Sequence, residues 1–261
     1  MKCKSGKNRR KRNACFFLGI LSLITVVLCL SASCNADRRK AQKYEYGVFL
    51  NADRTAVPKL KNYETVVIDA QYFSKKDIRK LHAGGTKVYS YLNIGSIENF
   101  RSYYKTYEHL AIGDYENWEE EKWVNVADKD WQEFMDTLAG KLKKKGVDGF
   151  FIDNCDVYDY AHKKDIFDGL TVILKKIRAM GKPVVVNGGD IYVTAYQSRY
   201  GSAADIMTGV NQESVWSRID FTTKTFHTQK KRSGSISASI CRHAKRMEWM
   251  FICWNTRQTI N

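Results

Sequence analysis

Proline is nearly missing from this sequence: Pro58 and Pro183 are the two among 261 residues. That scarcity excludes a polyproline or collagen-like chain and leaves room for uninterrupted regular elements. Histidine is scarce too, at positions 82, 109, 162, 227 and 243. None ends an apolar strand-like run, where a metal-dependent hydrolase would need several ligands. Of the seven cysteines, Cys3, Cys15, Cys29 and Cys34 lie in or beside the N-terminal stretch. Cys155, Cys241 and Cys253 show no C-x-x-C spacing, so neither a disulfide framework nor structural zinc is expected. Cys155 reads as a packed small residue rather than a nucleophile. No metal and no cofactor is expected. A glycine-rich phosphate loop is missing as well. The first strand-like run leads into Asn51-Ala52-Asp53-Arg54-Thr55, which argues against a nucleotide-binding doubly wound sheet.

Acidic residues are outnumbered, and the formal net charge is +15. Its placement decides what it means. Residues 1–13 carry seven lysines and arginines and no acid, and residues 221–261 carry eight against Glu248 alone. The stretch between is nearly neutral. A nucleic-acid-binding domain needs a basic face on its folded body, so no nucleic-acid partner is expected.

Residues 1–36 read as a bacterial export leader, with a basic start, an apolar run and a small-residue end. The run from Cys15 to Leu30 has 16 residues, short of the roughly 20 that span a bilayer. Ser31-Ala32-Ser33 fits a cleavage pattern. Cys34 behind it resembles a lipoprotein box, with Ser31 where leucine is usual. Cleaved-and-soluble and lipid-anchored through Cys34 both stay open, with an uncleaved anchor as the third reading. Either makes the chain secreted or anchored on the extracellular face of a bacterial membrane. Residues 37–45 read as a linker.

From Tyr46 onward, strand-like and helix-like runs alternate. Strands are expected at Tyr46–Leu50, Thr65–Ile68, Lys87–Leu92, Asp148–Ile152 and Val184–Val186. A sixth starts near Ala203 and ends near Asn211-Gln212-Glu213. Helices are expected after the capping box at Ser74–Asp77, from Trp131 to Lys145, and from His162 to Met180. The second carries Trp131, Phe134, Leu138 and Leu142 on one face. Such alternation, with strands apolar throughout, implies a parallel sheet covered on both faces. A polar residue closes strand after strand: Asp69, Asn93, Asp153, Asn187, Glu213. TIM-type (β/α)₈ barrels build their active sites from such ends, and that is the fold class expected. Residues 95–128 are too long for a plain connection and are expected to carry function or a lid.

Two carboxylates facing each other across a polar pocket are what glycoside hydrolysis requires. Asp153 and Glu213 are the candidate pair. Either alone could merely cap a helix; together, beside Asp69 and Asn187, they favour chemistry. Of Tyr91, Tyr103, Tyr104, Trp118, Trp123, Tyr158 and Trp216, one or two are expected to stack on sugar and the rest to be core.

These motifs resemble a known family. Tyr91-Leu-Asn-Ile-Gly-Ser-Ile-Glu98-Asn-Phe-Arg101, Trp123 to Gln132, Gly146 to Tyr158 and Asn211-Gln-Glu213-Ser214 resemble, in order, segments of glycoside hydrolase family 114. Its members are described as endo-α-1,4-polygalactosaminidases and their relatives. The resemblance implies a TIM barrel that cleaves α-1,4-linked galactosamine polymers by a retaining mechanism. It implies Asp153 as nucleophile and Glu213 as acid/base. It implies that Asp69, Asn93, Glu98, Asp156, Tyr158 and Asn187 line the sugar site. The partner would be a polysaccharide. From Phe221 no clear β/α unit follows. The barrel is therefore expected over 46–220, incomplete after strand six, with an atypical basic tail over 221–261. That tail reads as a frameshift or truncation near residues 226–230. Two other readings remain: a non-catalytic surface lipoprotein that binds amino-sugar polymer, and a truncated inactive family member.

Overall fold

A computed structural model describes residues 43–116, 118–213, 217–220, 223, 225–228 and 250–253. The expected leader with Cys34, most of the linker, Trp216 and nearly all of 229–261 lie outside these residues.

The alternation is present in the fold. In chain order come β1 (Tyr44–Phe49), α1 (Val57–Leu60), β2 (Tyr63–Ile68), α2 (Lys75–Ala83), β3 (Lys87–Asn93), β4 (Ser96–Glu98), α3 (Tyr104–Tyr107), β5 (Ala111–Asp114), β6 (Glu121–Val124), α4 (Lys129–Lys145), β7 (Gly149–Asp153), α5 (Val157–Tyr160), α6 (Lys164–Ala179), β8 (Val184–Asn187), α7 (Asp190–Tyr200), β9 (Gly209–Gln212), β10 (Ser217–Asp220), β11 (Thr225–Thr228) and β12 (Met250–Cys253). The main sheet runs β1-β2-β3-β7-β8-β9-β12, every pair parallel. Six of its strands are those read from the sequence. The seventh, β12, lies in the stretch read as a tail and pairs with β9. Between β9 and β12 the described chain forms a β10–β11 antiparallel hairpin. Among the described residues no strand joins β1 to β12, and the sheet is an incomplete barrel.

The two faces of each strand separate by the period-2 rule. Val67, Tyr89, Tyr91, Phe151 and Val185 pack with Val48 on the inner side of the curled sheet. Their neighbours Val66, Ile68, Phe150, Ile152, Val184 and Val186 face the helices, against Leu81, Trp131, Leu142, Leu170 and Ile177. Residues covered on both sides must be apolar on both, which explains the unbroken apolar runs.

Helix ends are set by local chemistry. Ser74 Oγ accepts from the Asp77 backbone N–H, and Asp77 Oδ2 accepts from that of Ser74, a closed capping box for α2. Asp128 caps α4, which stops at Gly146 with φ 101°, a left-handed turn suited to glycine. Helix α7 lies where the sequence pattern marks none. Its buried side is made of Tyr192, Val193 and Tyr196. The Tyr192 hydroxyl meets Thr171 Oγ1 at 2.9 Å and Tyr196 donates to Asp205 at 2.7 Å, so the buried stripe is written in amphipathic residues.

Residues 95–128 form a small layer over the strand ends. Strands β4, β6 and β5 make an antiparallel sheet in that order. Arg101 ties it to the barrel. Its guanidinium donates from Nε and Nη2 to Glu98 at 3.1 and 2.8 Å and from Nη1 to Asp69 at the end of β2. All three side chains are buried. Removing the cation would leave two buried carboxylates facing each other, a loss of about 3–5 kcal/mol. Arg101→Met is therefore expected to lower the thermal midpoint steeply and to raise hydrogen exchange through β4–β6.

Candidate active site

Parallel register puts the polar strand ends side by side. Asn93 pairs with Asp153 across β3 and β7, and Asn187 with Asn211 across β8 and β9. Asp153 follows Phe151 and Ile152 on a strand without slack, which fixes its backbone. Its Oδ2 accepts from the Tyr91 hydroxyl at 3.0 Å, and its Oδ1 accepts from Asn187 Nδ2 at 2.9 Å. The same Asn187 nitrogen donates to Glu213 Oε1 at 3.1 Å. One amide thus holds both carboxylates. Asn187 Oδ1 in turn accepts from Asn211 Nδ2 at 2.6 Å.

Asp153 keeps part of its surface exposed yet lies deep among protein atoms. Burial pushes its carboxyl up to about 7, with Glu213 and Asp156 adding repulsion and the Asn187 and Tyr91 hydrogen bonds opposing. Burial and the charge of Asp153 hold the Tyr91 hydroxyl well above the ordinary phenol range, so Tyr91 remains a donor. Cys155, next in the loop, is buried, and burial pushes its thiol up.

Asn154 has φ 63°, in the left-handed region that asparagine tolerates better than most residues. This turn aims its amide away from Asp153. Nδ2 donates to Ser96 Oγ at 2.7 Å and Glu121 Oε1 at 2.8 Å, and Oδ1 accepts from the Tyr115 hydroxyl at 3.1 Å. Glu121 Oε1 also accepts from Asn93 at 2.8 Å and from the Ser96 hydroxyl. Burial, then the nearby Glu98 charge, raise the Glu121 carboxyl above its usual range. Gly95 permits this knot, because a Cβ there would collide with the Asn154 carbonyl.

Asp156 accepts from the Gly189 backbone N–H at 3.2 and 3.1 Å. Gly189 sits at φ 68°, and a Cβ on it would stand 2.7 Å from that of Cys155. Burial, with Asp190 adding repulsion, pushes Asp156 up to about 6. It opens onto a groove of about 530 Å³ lined also by Asp114, Tyr115, Glu116, Trp118, Trp123, Asp159 and Tyr160. Trp123 is stacked between Tyr115 and Tyr160, with ring centroids 4.2 and 5.5 Å away. Four carboxylates and four aromatic rings share this one surface.

The structure therefore joins Asp153, Asn187 and Glu213 into one hydrogen-bonded unit and sets Asp156 in the adjoining groove. Asn93 lies next to Asp153 but its amide is engaged by Ser96 and Glu121. Asp69 and Glu98 lie deeper, both engaged by Arg101. Tyr158 turns its hydroxyl to His162 at 3.2 Å and its ring onto Phe167 and Tyr192, outside the groove lining. Sequence reasoning passed over Tyr115, Glu121, Asn154 and Asn211. Asn154 and Asn211 stand within quoted motifs and could have been found by asking what orients the carboxylates. Glu121 closes a Glu119-Glu120-Glu121 run, where nothing local marks it as the buried one. Among the described residues no group of three or more His, Cys, Asp or Glu side chains is arranged to hold a metal ion.

The chain is similar in structure to the glycoside hydrolase domain of PelA from Pseudomonas aeruginosa. The TM-score is 0.65 at 14% identity, over 81% of this chain and 82% of that one. It is also similar to Aspergillus fumigatus Ega3, solved in complex with galactosamine, with a TM-score of 0.51 at 18% identity over 67% of this chain and 78% of that one. At these identities the likeness establishes the fold. No curated protein sequence matches. Residues 30–199, more than half of the length, match the profile of glycoside-hydrolase family GH114, and the chain belongs to that family.

Proposed function

We propose that this glycoside hydrolase cleaves α-1,4-linked galactosamine-type polysaccharide outside the cell, by a retaining mechanism with Asp153 as nucleophile and Glu213 as acid/base. The observation that carries the reading is the shared Asn187 amide, 2.9 Å from one carboxylate and 3.1 Å from the other. Two oxygens held by one nitrogen at these distances stand at most about 6 Å apart, short of the roughly 6.5–9.5 Å of inverting glycosidases, which favours the retaining reading.

In this mechanism the ionised Asp153 attacks the anomeric carbon while the glycosidic C–O bond breaks and the Glu213 proton passes to the leaving oxygen. Glu213, now a carboxylate, takes a proton from water, and that water attacks the same carbon and frees Asp153. Asp153 suits the first role because two donors fix it in place. Glu213 suits the second because it is exposed at the mouth, on a longer side chain.

The groove supports a cationic sugar. Asp114, Glu116, Asp156 and Asp159 attract amines, and Trp118 and Tyr160, each about half exposed, offer faces for pyranose rings. A protonated amine beside Asp153 would also favour its carboxylate against the burial and repulsion that raise its pKa. The leader-like N-terminal stretch supports an extracellular setting, through cleavage or a lipid on Cys34.

The direct test incubates the full chain with partly de-N-acetylated α-1,4-galactosamine polymer and reads oligosaccharides by mass spectrometry. Wild type is expected to release them. Asp153→Asn is expected to lower turnover on the order of 10³-fold, about 4 kcal/mol of barrier. A folded wild-type protein that binds the polymer without cutting it would support the binding-module reading instead. In the pH profile, kcat/KM is expected to fall as pH drops through about 7, where free Asp153 takes up its proton. The kcat profile is expected to break at lower pH, because bound cationic sugar favours the carboxylate.

The same burial bears on stability. The folded pKa of Asp153 lies above its unfolded value, so its contribution is present in acid and is lost as pH rises through about 7. Asp153→Asn is neutral throughout. It is expected to be more stable than wild type at pH 8, by up to about 4 kcal/mol, with the gap closing towards pH 4. Denaturant melts at both pH values measure this.

A further inference from the structure

We infer that Asn211 is a positioning residue of the hydrolysis, which holds the Asn187 amide so that its N–H groups, and not its oxygen, face the two carboxylates. This rests on the reading of Asp153 and Glu213 given above.

A primary amide is nearly symmetric in shape, and a half-turn exchanges its oxygen and its NH₂. Turned the wrong way, Asn187 would present an acceptor to two acceptors. Its contacts with Asp153 and Glu213 restrain that turn less once either carboxyl is protonated and becomes a donor. Such protonation is part of the reaction, because a proton must sit on one carboxyl of the pair and then move. The restraint comes from behind. Asn211 Nδ2 donates to Asn187 Oδ1 at 2.6 Å, and the strands bring the two residues into direct register. The Gly188 backbone N–H donates to the Asn211 carbonyl at 3.0 Å, which fixes the base of the contact.

Asn211 is a poor choice for packing. It is fully buried, and its own Oδ1 is buried with no partner among the described residues. An apolar side chain of similar size would avoid that desolvation cost. What the position gains from asparagine is the N–H donor aimed at Asn187. The groups that face Asp153 show what is at stake. They are Tyr91 from β3, Cys155 and Asp156 from the loop after β7, Glu213 beyond β9, and Tyr115 beyond β5. Without the Asn187 donor, Asp153 keeps, among the described residues, the Tyr91 hydrogen bond alone against two neighbouring carboxylates.

The test compares Asn211→Val with Asn211→Thr in the full chain. The two side chains have the same branched shape and differ in a hydroxyl that can donate. The first readout needs no substrate: the Asp153 carboxyl titration, followed by ¹³C NMR. Val is expected to move its midpoint upward by about one pH unit at unchanged or higher thermal stability, and Thr to stay near wild type. The second readout is turnover of the galactosamine polymer. Val is expected to lower kcat by about 10²-fold with KM within about twofold, and the Asn187→Ala, Asn211→Val double variant to be no worse than Asn187→Ala alone. A folded Val variant with the wild-type Asp153 midpoint would overturn the inference, and so would a double variant whose losses multiply. Should Val not fold, Asn211→Ala against Asn211→Ser makes the same comparison. Failure of wild type to cut the polymer would count against the proposed substrate and leave the titration result standing.

Discussion

Everything at the site depends on the parallel register of the central strands. Strands β2, β3, β7, β8 and β9 end on or beside a polar residue, and register decides which ends become neighbours. With Asn93 opposite Asp153 and Asn187 opposite Asn211, short side chains can bond across the sheet without any loop holding them. The apolar stretches below, such as Phe150 to Ile152 and Val184 to Val186, are covered on both faces. They cannot shift by one residue without turning each inner side chain outward. The precision of the carboxylate pair is therefore set by core packing one residue away.

That arrangement sets two kinds of carboxylate apart. Asp69 and Glu98 are buried but balanced by Arg101, and their charges hold the β4–β6 layer against the barrel. Asp153 lies deep among protein atoms with no cation paired to it among the described residues, and Glu213 and Asp156 repel its charge. The first kind is held in ion pairs. The second is destabilised by ionisation, because burial and its acidic neighbours oppose the charge. Glu121 falls between: among the described residues it has no ion pair, but three donors converge on one of its oxygens. It links the layer above to Asn93 and Asn154 on the two central strands.

Much of this was legible from the chain alone, and the reasons are local. Strand ends at Asp69, Asn93, Asp153 and Asn187 could be read because apolar runs stop abruptly there. The capping box at Ser74 and the stop at Gly146 are written in neighbouring residues. What escaped needs tertiary information. That Asn93 serves Glu121 and Glu98 serves Arg101 follows from how residues 95–128 fold back, which no periodicity encodes. Tyr158 fits a sugar-stacking residue by type, yet the turn of α5 points it at His162 and Phe167. Helix α7 was hidden because tyrosines make its buried side. Strand β12 stands in a stretch whose basic composition reads as a tail, and only its pairing with β9 marks it as part of the sheet.

The most direct test of the account asks which carboxylate becomes bonded to sugar. The full chain would be incubated with a 5-fluoro-galactosaminyl fluoride, which forms glycosyl-enzyme faster than it is hydrolysed, and then digested and read by peptide mass spectrometry. The account predicts one added sugar on the peptide that holds Asp153. An adduct on Glu213, or product released with inverted anomeric configuration and no adduct, would contradict it.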